Sequence, residues 1–250
     1  MSRIALISAL HDELAAVLAR LPDEHRTVVA GREFGVGHWY GQEVVAGLSG
    51  IGKVAAATTA TLLIERFKVE RILFTGVAGG LGAGVRVGDV VVASGFMQHD
   101  MDASPLFPRY QVPGYAHAVF EADPTLTAAL AQAVAATLVD VPQLLEPSVV
   151  AEFGLHTPRL HQGLLLSGDR FVSATAESQA LQQALPEALA VEMEGAAFAQ
   201  VCHDYGVPLA VVRTISDRAD DAAHVDFMRF LRAVASRYSV AVLDRLFAAL

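Results

Sequence analysis

The sequence predicts one α/β domain over residues 1–250, with a mixed, mainly parallel central sheet flanked by helices. Short, continuous apolar runs alternate along the chain with longer segments whose apolar residues recur at helical spacing. Strands that are apolar on both faces are typical of a mainly parallel sheet with helices on both sides. No repeat, low-complexity tract or linker divides the chain, and its length suits a single large domain.

The predicted strands are apolar runs of strand length, and the last one is rich in β-branched residues. After the third strand, the glycine-rich segment Gly76–Gly84 is expected to form a turn. In chain order, we expect strands at Arg3–Ala9, Glu43–Leu48, Arg71–Thr75, Asp89–Ser94, Leu164–Leu166, Ala190–Val191 and Leu209–Ile215.

The predicted helices have apolar residues spaced for one buried face, and the fifth is stopped by Gly206 and Pro208. Segment 97–115 carries three prolines and several aromatic residues, and a loop of this length is often functional in a compact domain. In chain order, we expect helices at Asp12–Leu21, Val54–Phe67, Leu126–Val139, Ala176–Leu185, Gly195–Tyr205 and Phe227–Leu250.

The composition excludes several classes of protein. Hydrophobic residues make up 53% and charged residues 18% of the chain, which is too apolar for a disordered protein. The net charge of −9 argues against nucleic acid or an anionic membrane as the main partner. The single cysteine, Cys202, rules out an intramolecular disulfide framework and indicates a reducing compartment. Since no apolar stretch approaches the roughly 20 residues of a spanning helix and no signal-peptide pattern is present, we expect a cytoplasmic protein.

Ligands of open α/β sheets bind at the carboxyl ends of the strands, and four such ends carry suggestive residues. At the first end, Asp12 and Glu13 follow a buried strand, and the residues alone favour a helix cap and a dipole-complementing acid over a binding site. The second and third, Ser49–Lys53 and Gly76–Gly80, are rich in glycine and could bring the backbone close to a ligand. They match neither the P-loop nor the dinucleotide fingerprint, and tight turns explain them equally well.

The fourth group of residues closes two further strands. Glu192 and Glu194 follow one apolar run, and Arg213, Ser216 and Asp217 end another. Carboxylates are costly to bury unless they are paired or functional. One carboxylate could hold two sugar hydroxyls while the acid beside Ser216 meets a heterocycle nitrogen; alternatively, Glu192 or Glu194 forms a structural salt bridge with Arg213. The histidines and the cysteine show no metal-ligand spacing, so no metal or other cofactor is expected.

Seven segments, in this order and spacing, resemble the 5'-methylthioadenosine/S-adenosylhomocysteine nucleosidases of the nucleoside phosphorylase superfamily along nearly the whole chain. The resemblance implies a nucleoside phosphorylase-like fold, a homodimer, a small-molecule nucleoside as substrate, no cofactor and a role in methionine salvage. The segments are ALHDEL at 9–14, SGIGKVAAA at 49–57, TGVAGGL at 75–81, VGDVVVA at 87–93, LSGDRFV at 166–172, VEMEGAAFAQVCH at 191–203 and VVRTISDRAD at 211–220.

The resemblance also implies the roles of the candidate catalytic residues. Glu13 would hold and activate the attacking water, and Glu194 would bind the ribose 2' and 3' hydroxyls. Arg213 would lie near the water and the sugar. Asp217, oriented by Ser216, would hydrogen-bond the N7 and N6 side of adenine.

Further residues are implied to bind the substrate. Phe171 would stack on the base, the backbone of Val172 would read its edge, and the backbone of Met193 would assist at the ribose. Loop 97–115 would shape the 5' pocket, partly across the dimer interface. Leu10, Ile51 and Phe227 would line the pocket for the 5'-substituent, and Val77, Ala78, Gly79 and Glu192 complete the substrate-binding set.

The chemistry of the implied reaction sets the protonation that these acids need. When an N-glycosidic bond breaks, the sugar becomes oxocarbenium-like, and the purine leaves well only if N7 is protonated. We expect burial to raise the pKa of Asp217 so that it can supply this proton near neutrality. Glu13 is expected to stay ionised, so that it can accept the proton of the water and stabilise the cationic sugar. Two carboxyl groups with separated pKa values recur in glycoside cleavage.

The expected activity is hydrolysis of 5'-thio-substituted adenosines, among them 5'-methylthioadenosine and S-adenosylhomocysteine, and of 5'-deoxyadenosine. Related phosphorylases bind phosphate with an arginine two residues before the glycine matched by Gly76 and a serine directly after it. This chain has Phe74 and Val77 at those positions, and a dianion without cationic or hydroxyl partners would be costly to bury. The alternatives are a phosphate-dependent purine nucleoside phosphorylase, a futalosine-type nucleosidase and a non-catalytic nucleoside-binding module.

Overall fold

A computed structural model of the chain describes residues 3–219 and 227–250, so Asp220, the last residue of the segment at 211–220, lies outside the described residues. The described strands form one sheet with helices on both faces, which confirms the predicted α/β class. The strands are β1 (Arg3–Ser8), β2 (His25–Val29), β3 (Arg32–Trp39), β4 (Gln42–Leu48), β5 (Arg71–Gly80), β6 (Val90–Gln98), β7 (Val119–Glu121), β8 (Leu160–Ser167), β9 (Ala188–Glu192) and β10 (Leu209–Asp217).

Helices cover the sheet and connect most of its strands. The closing helix that the sequence predicts is observed, but it contains a π-helical turn at Leu231–Ala235 between two α-helical parts. The α-helices are α1 (His11–Leu18), α2 (Lys53–Phe67), α3 (Pro124–Val139), α4 (Val141–Leu144), α5 (Pro147–Glu152), α6 (Thr175–Ala184), α7 (Gly195–Tyr205), α8 (Phe227–Phe230) and α9 (Ser236–Ala249). Among the described residues, no helix combines the length and the apolar character needed to cross a bilayer.

The sheet is mixed and partly closed. Its strand order is β10–β6–β8–β9–β5–β1–β4–β3–β2, with β7 paired to β6. β1 runs parallel to β4 and β5, whereas the edge formed by β2, β3 and β4 is antiparallel. Because β10 pairs with β5 as well as with β6, the strands β5, β10, β6, β8 and β9 close into a ring.

Two hydrophobic cores lie on opposite faces of the sheet. One contains apolar residues of α1, α3 and α9, and the other contains those of α2 and α7. Along β1, Ile4 and Leu6 belong to the first core, while Ala5 and Ile7 belong to the second. Successive side chains of a strand point to opposite faces, so a continuous apolar run is what a strand buried on both sides requires.

The structure corrects the prediction for Gly76–Gly84, because β5 continues through the first half of that segment. Gly79 pairs with Asp217 on β10 and with Val191 on β9. A Cβ atom at Gly79 would lie 2.9 Å from the Cβ of Ala219. Glycine at this position therefore allows three strands to approach closely, and it does not form a turn.

Several elements escape the sequence prediction. β2 has the sequence HRTVV with mostly exposed side chains, and β7 has only three residues, so neither shows an apolar run. β6 and β8 extend beyond the predicted Asp89–Ser94 and Leu164–Leu166, and α1 ends at Leu18 rather than at Leu21. None of these differences moves the strand ends that the sequence analysis singles out.

Candidate active site

A cavity lies where the carboxyl ends of β1, β5, β9 and β10 meet. Its empty volume is about 750 Å³ when the open space at its mouth is included. All ten residues expected to bind the substrate line it, together with three of the five expected catalytic residues. These lining residues are Leu10, Ile51, Val77, Ala78, Gly79, Phe171, Val172, Glu192, Met193, Glu194, Ser216, Asp217 and Phe227, and the sequence analysis did not single out the remaining three, Ala9, Arg170 and Val191.

Asp217 is held in one orientation at the end of β10. The pairing of β10 with β5 shifts between Ile215 and Asp217, so that the consecutive residues Ser216 and Asp217 both line the cavity. The Ser216 hydroxyl donates a hydrogen bond to Oδ2 of Asp217 at 2.7 Å, and the backbone N–H of Ala219 donates to Oδ1 at 2.7 Å. Each carboxyl oxygen thus has a fixed donor, and the group is nearly buried.

Glu194 occupies the position before the first residue of α7 and reaches back to the start of α2. Its Oε1 accepts a hydrogen bond from the backbone N–H of Gly52 at 3.0 Å. Burial, and then the neighbouring charge of Glu192, raises the pKa of Glu194 above its ordinary value. A carboxylate offers about four acceptor positions, so capacity for ligand hydroxyls remains beside this bond.

Glu192 has a different environment, although it also lines the cavity. Its Oε2 lies 2.8 Å from Nη2 of Arg213, and both side chains are almost completely buried. The Ser167 hydroxyl and the backbone N–H groups of Glu194 and Gly195 also donate to this carboxylate. The structural salt bridge that the sequence left open is therefore present, and it involves Glu192.

Arg213 belongs to β10, and its buried side chain is not among those that line the cavity. Its guanidinium packs 4.0 Å from the ring centroid of Phe74, and Nη1 donates to the Phe74 carbonyl at 3.3 Å. Gly76 leaves the room for this arrangement, because a Cβ atom there would lie 3.3 Å from Nη1. The only acid with which Arg213 forms an ion pair among the described residues is Glu192.

Glu13 is fully enclosed, and neither of its carboxyl oxygens has a hydrogen-bond partner among the described residues. Burial raises the pKa of Glu13 to about 7, although the charge of Arg213 and nearby backbone groups act to lower it. The ionised state of Glu13 near neutrality stays a prediction, since with a pKa of about 7 both the neutral and the ionised form are accessible there. Asp12 does not cap α1 and instead pairs with Arg232 at 2.6 Å.

The carboxyl group of Glu13 lies next to the cavity wall and is not part of it. Ala9 and Leu10, which precede α1 directly, do line the cavity. Glu13 follows in the first turn of this helix and is close enough to Arg213 to feel its charge. The site thus combines two largely buried acids that line the cavity, Glu194 and Asp217, with an enclosed acid behind the wall, Glu13.

The mouth of the cavity is apolar and partly exposed. Ile51 is 67% exposed and Phe171 is 46% exposed, whereas Val172 is buried. The expectation that loop 97–115 shapes the pocket is not met within one chain, because none of its residues is among the lining residues. Within the described ranges, no group of three or more His, Cys, Asp or Glu residues is arranged to hold a metal ion.

Sequence reasoning missed a polar cluster beside the cavity. The Nζ atom of Lys53 lies 2.6 Å from Oδ1 of Asp100, and the backbone N–H of Lys53 donates to Oδ1 of Asp169 at 2.7 Å. The backbone N–H of Asp169 donates to Oδ2 of Asp100 at 2.9 Å. Each residue by itself looks like an ordinary surface charge, and only the fold brings the three together.

Comparison with known proteins identifies the family. A model of the phosphorylase superfamily matches residues 3–248. The 5'-methylthioadenosine/S-adenosylhomocysteine nucleosidase of Neisseria meningitidis, in complex with methylthio-immucillin-A, is 31% identical with a TM-score of 0.85, and the match covers 100% of both chains. The corresponding nucleosidase of Colwellia psychrerythraea 34H, in complex with adenine, is 32% identical with a TM-score of 0.87, covering 100% of this chain and 96% of that one.

A relative that is named for another activity is similar to nearly the same degree. The futalosine hydrolase of Helicobacter pylori strain 26695 is 31% identical with a TM-score of 0.83, and the match covers 100% of this chain and 98% of that one. The identity and coverage of these matches are enough to assign the family. The chain belongs to the 5'-methylthioadenosine/S-adenosylhomocysteine nucleosidase family of the phosphorylase superfamily.

Proposed function

We propose that this protein hydrolyses the N-glycosidic bond of 5'-thio-substituted adenosines and releases adenine. The observation that carries the proposal is the arrangement of four polar residues. Asp217, Ser216 and Glu194 line one cavity, and the unpartnered carboxyl of Glu13 is buried in the helix that begins at its wall.

Asp217 supplies the proton for the leaving group. As the C1'–N9 bond breaks, its electron pair passes to the purine and the proton of Asp217 passes to N7, so that neutral adenine departs. The hydrogen bonds from Ser216 and Ala219 hold the carboxyl group in the orientation that the transfer needs. General acid catalysis of this kind contributes about 10²–10⁴-fold to the rate.

Glu13 and Glu194 act on the sugar. Glu194 accepts hydrogen bonds from the ribose 2' and 3' hydroxyls. Water adds its oxygen to C1' of the oxocarbenium-like sugar, and its proton passes to Glu13. A pKa of about 7 makes Glu13 a suitable general base near neutrality, and its negative charge in a water-poor environment stabilises the cationic sugar.

The charges around the site favour water over phosphate as the nucleophile. Arg213 is neutralised by Glu192, and Phe74 belongs to the hydrophobic core. Glu13 and Glu194 add negative charge where a phosphate dianion would have to bind. A dianion placed there would lose its hydration without gaining cationic partners, which is strongly unfavourable.

The same observations disfavour a non-catalytic binding module. A buried carboxyl group without a hydrogen-bond partner lowers the stability of the fold. Glu13 is such a group, and a protein that only stored a nucleoside would gain nothing from it. A role as the base for the attacking water would explain why a carboxyl group is buried at this position.

The lining indicates the class of 5'-substituent. Leu10, Ile51 and Phe227 offer apolar surface, which suits a thioether. Arg170 also lines the cavity, but its guanidinium lies 3.5 Å from the carboxylate of Glu177, so it gives no preference for a substituent that carries a carboxylate. A futalosine-type substrate is the second candidate, since a futalosine hydrolase matches this chain as well as the other nucleosidases do.

We also propose that the protein acts as a homodimer in the cytoplasm. Large apolar side chains are exposed near the mouth at Ile51 and Val54, and in loop 97–115 at Leu106. A partner chain that covered them would remove apolar surface from water and could add loop residues to the 5' pocket. The single cysteine, Cys202, is free and buried, which suits a reducing compartment.

A nucleoside panel in phosphate-free buffer tests the proposal. 5'-Methylthioadenosine, S-adenosylhomocysteine, 5'-deoxyadenosine, futalosine and adenosine are compared by the rate at which free base appears. We expect the thioadenosines to have the highest kcat/KM, with no requirement for phosphate. Base release that depends on added phosphate would replace hydrolysis by phosphorolysis, and binding without release would favour the non-catalytic module.

A further inference from the structure

The cluster of Lys53, Asp100 and Asp169 ties together three segments that are far apart in the sequence. Lys53 is the first residue of α2, Asp100 follows β6, and Asp169 follows β8. The three contacts, at 2.6, 2.7 and 2.9 Å, join every pair of these residues, so the cluster is closed. None of the three residues lines the cavity.

The cluster and the cavity meet at the N-terminus of α2. This helix has no side-chain cap of its own. Instead, the backbone N–H of Gly52 binds Glu194, and that of Lys53 binds Asp169. Carboxylates suit such positions, because the first N–H groups of a helix lack partners and the N-terminus carries partial positive charge. One helix end therefore fixes both the acid assigned to the ribose and the connection that leads to Phe171.

Close contacts restrict the segment that connects the end of β8 to Phe171. A Cβ atom at Gly168 would lie 2.3 Å from Nε2 of His99, so the backbone passes directly over that ring. A Cβ atom at Gly52, whose φ is +87°, would lie 3.0 Å from Oδ1 of Asp169. Phe171 follows Asp169 by two residues and is 46% exposed, so the position of its backbone depends on the segment that Asp169 holds.

The charges of the cluster are partly screened from water. The side chain of Lys53 is 16% exposed and that of Asp100 is 32% exposed. An ion pair in this environment is stronger than a fully exposed one, which contributes little. The network also joins a charged group to backbone N–H donors, and such hydrogen bonds are among the stronger ones in proteins.

We infer that Lys53, Asp100 and Asp169 are positioning residues that set the place of the Phe171 ring relative to Glu194, and thereby the affinity for the purine. The inference rests on the proposed function and on the expectation, implied by the family resemblance, that Phe171 stacks on the base. The cluster acts on binding and touches none of the groups that break the bond. Its loss therefore raises KM and weakens adenine binding, and it leaves kcat nearly unchanged.

The test compares Lys53→Met, Asp100→Ala and Asp169→Ala with matched controls on the same helix. Lys68→Met and Glu65→Ala remove an exposed ion pair of 3.1 Å near the other end of α2. For each protein, kcat and KM are measured with 5'-methylthioadenosine, and the Kd of adenine is measured by calorimetry. The thermal midpoint, measured alongside, shows which variants are folded at the assay temperature.

We expect KM and the adenine Kd to rise together by about tenfold in the cluster variants, the effect of losing one hydrogen bond to a charged group. The value of kcat should stay within about threefold, and both controls should match the parent. The double variant Lys53→Met/Asp100→Ala should have an adenine Kd no higher than that of the single variant that binds adenine more weakly, because both substitutions break the same network. Asp169→Asn, which keeps an acceptor oxygen, should recover part of the affinity.

Two results would overturn the inference. One is an unchanged adenine Kd in folded cluster variants, and the other is a fall in kcat at constant Kd. If an alanine variant does not fold, Asp100→Asn, which removes the charge that pairs with Lys53, takes its place, and parental adenine affinity in folded Lys53→Met and Asp100→Asn would also contradict the inference. Since adenine binding requires no turnover, a parent protein that binds adenine without cleaving nucleosides would refute the proposed function alone.

Discussion

Nη2 of Arg213 lies 2.8 Å from Oε2 of Glu192, and the fold encloses both side chains almost completely. Such a pair adds little net stability over an apolar core, but removing one partner leaves a buried charge without compensation. The charge of Arg213 lowers the pKa of Glu13, but the effect of burial is larger and raises it. In the proposed function, the pairing of Arg213 with Glu192 also leaves less positive charge for a phosphate.

Replacing Glu192 by glutamine should therefore destabilise the protein. Arg213 would keep its charge in a buried position, and we expect the free energy of unfolding to fall by about 3–5 kcal/mol. Urea denaturation at pH 7.5 measures this change. Glu65→Gln, which alters an exposed acid, serves as the control and should stay within about 0.5 kcal/mol of the parent. Equal stability of the two variants would mean that the buried pair has no structural role.

The activity should decline on the acid side of neutrality. Glu13 works as a base only when it is ionised, and its pKa is raised to about 7. We therefore expect kcat/KM to fall as the pH drops through about 7 and to approach a tenfold loss per pH unit below it. Adenine release between pH 5 and pH 9 in phosphate-free buffers gives this profile. A kcat/KM that stays constant from pH 7 down to pH 5 would show that Glu13 is not the general base.

The contribution of Glu13 to the stability of the fold should decrease as the pH rises, whereas the activity should increase. Its pKa is higher in the folded protein than the ordinary value of 4.5, so its contribution to stability is complete below pH 4.5 and is lost as the pH rises through about 7. Glu13→Gln cannot ionise and escapes this loss. Between pH 5 and pH 8.5, the stability of the variant relative to the parent should rise by roughly 2–3 kcal/mol.

Urea denaturation of both proteins at pH 5 and pH 8.5 measures the difference. The comparison within each pH cancels the effects of other titrating groups, among them Glu194, whose pKa is also raised by burial. A difference that does not change with pH would show that Glu13 titrates normally in the folded protein.

Much of the fold can be predicted from the sequence because the buried strands are apolar on both faces. β1 illustrates this, since Ile4 and Ala5 enter different cores and both positions must be apolar. β2 could not be predicted, because its side chains are largely exposed and the only one of them that packs against either of the two cores is Val29. Gly79 misleads for another reason: glycine signals a turn and a close contact between strands equally well.

Only part of the candidate site can likewise be predicted from the sequence. Glu194 and Asp217 lie at the carboxyl ends of apolar strands, where ligands of open α/β sheets bind, so both residues can be predicted from the sequence. The sequence leaves open which of Glu192 and Glu194 pairs with Arg213, and only the fold decides for Glu192. The environment of Glu13 depends on residues far along the chain, among them Arg213, which is 200 positions away. Lys53 and Asp169 are separated by 116 residues, which is why their contact appears only in the folded chain.

The central claim is that Asp217 gives its proton to the departing purine. Asp217→Asn keeps the size of the side chain and one acceptor oxygen but removes the acid, and the decisive measurement is its kcat for adenine release from 5'-methylthioadenosine in phosphate-free buffer. We predict a loss of about 10²–10⁴-fold, with circular dichroism matching the parent and an adenine Kd within several-fold of it. A folded Asp217→Asn variant that released adenine at the parental rate would contradict the account.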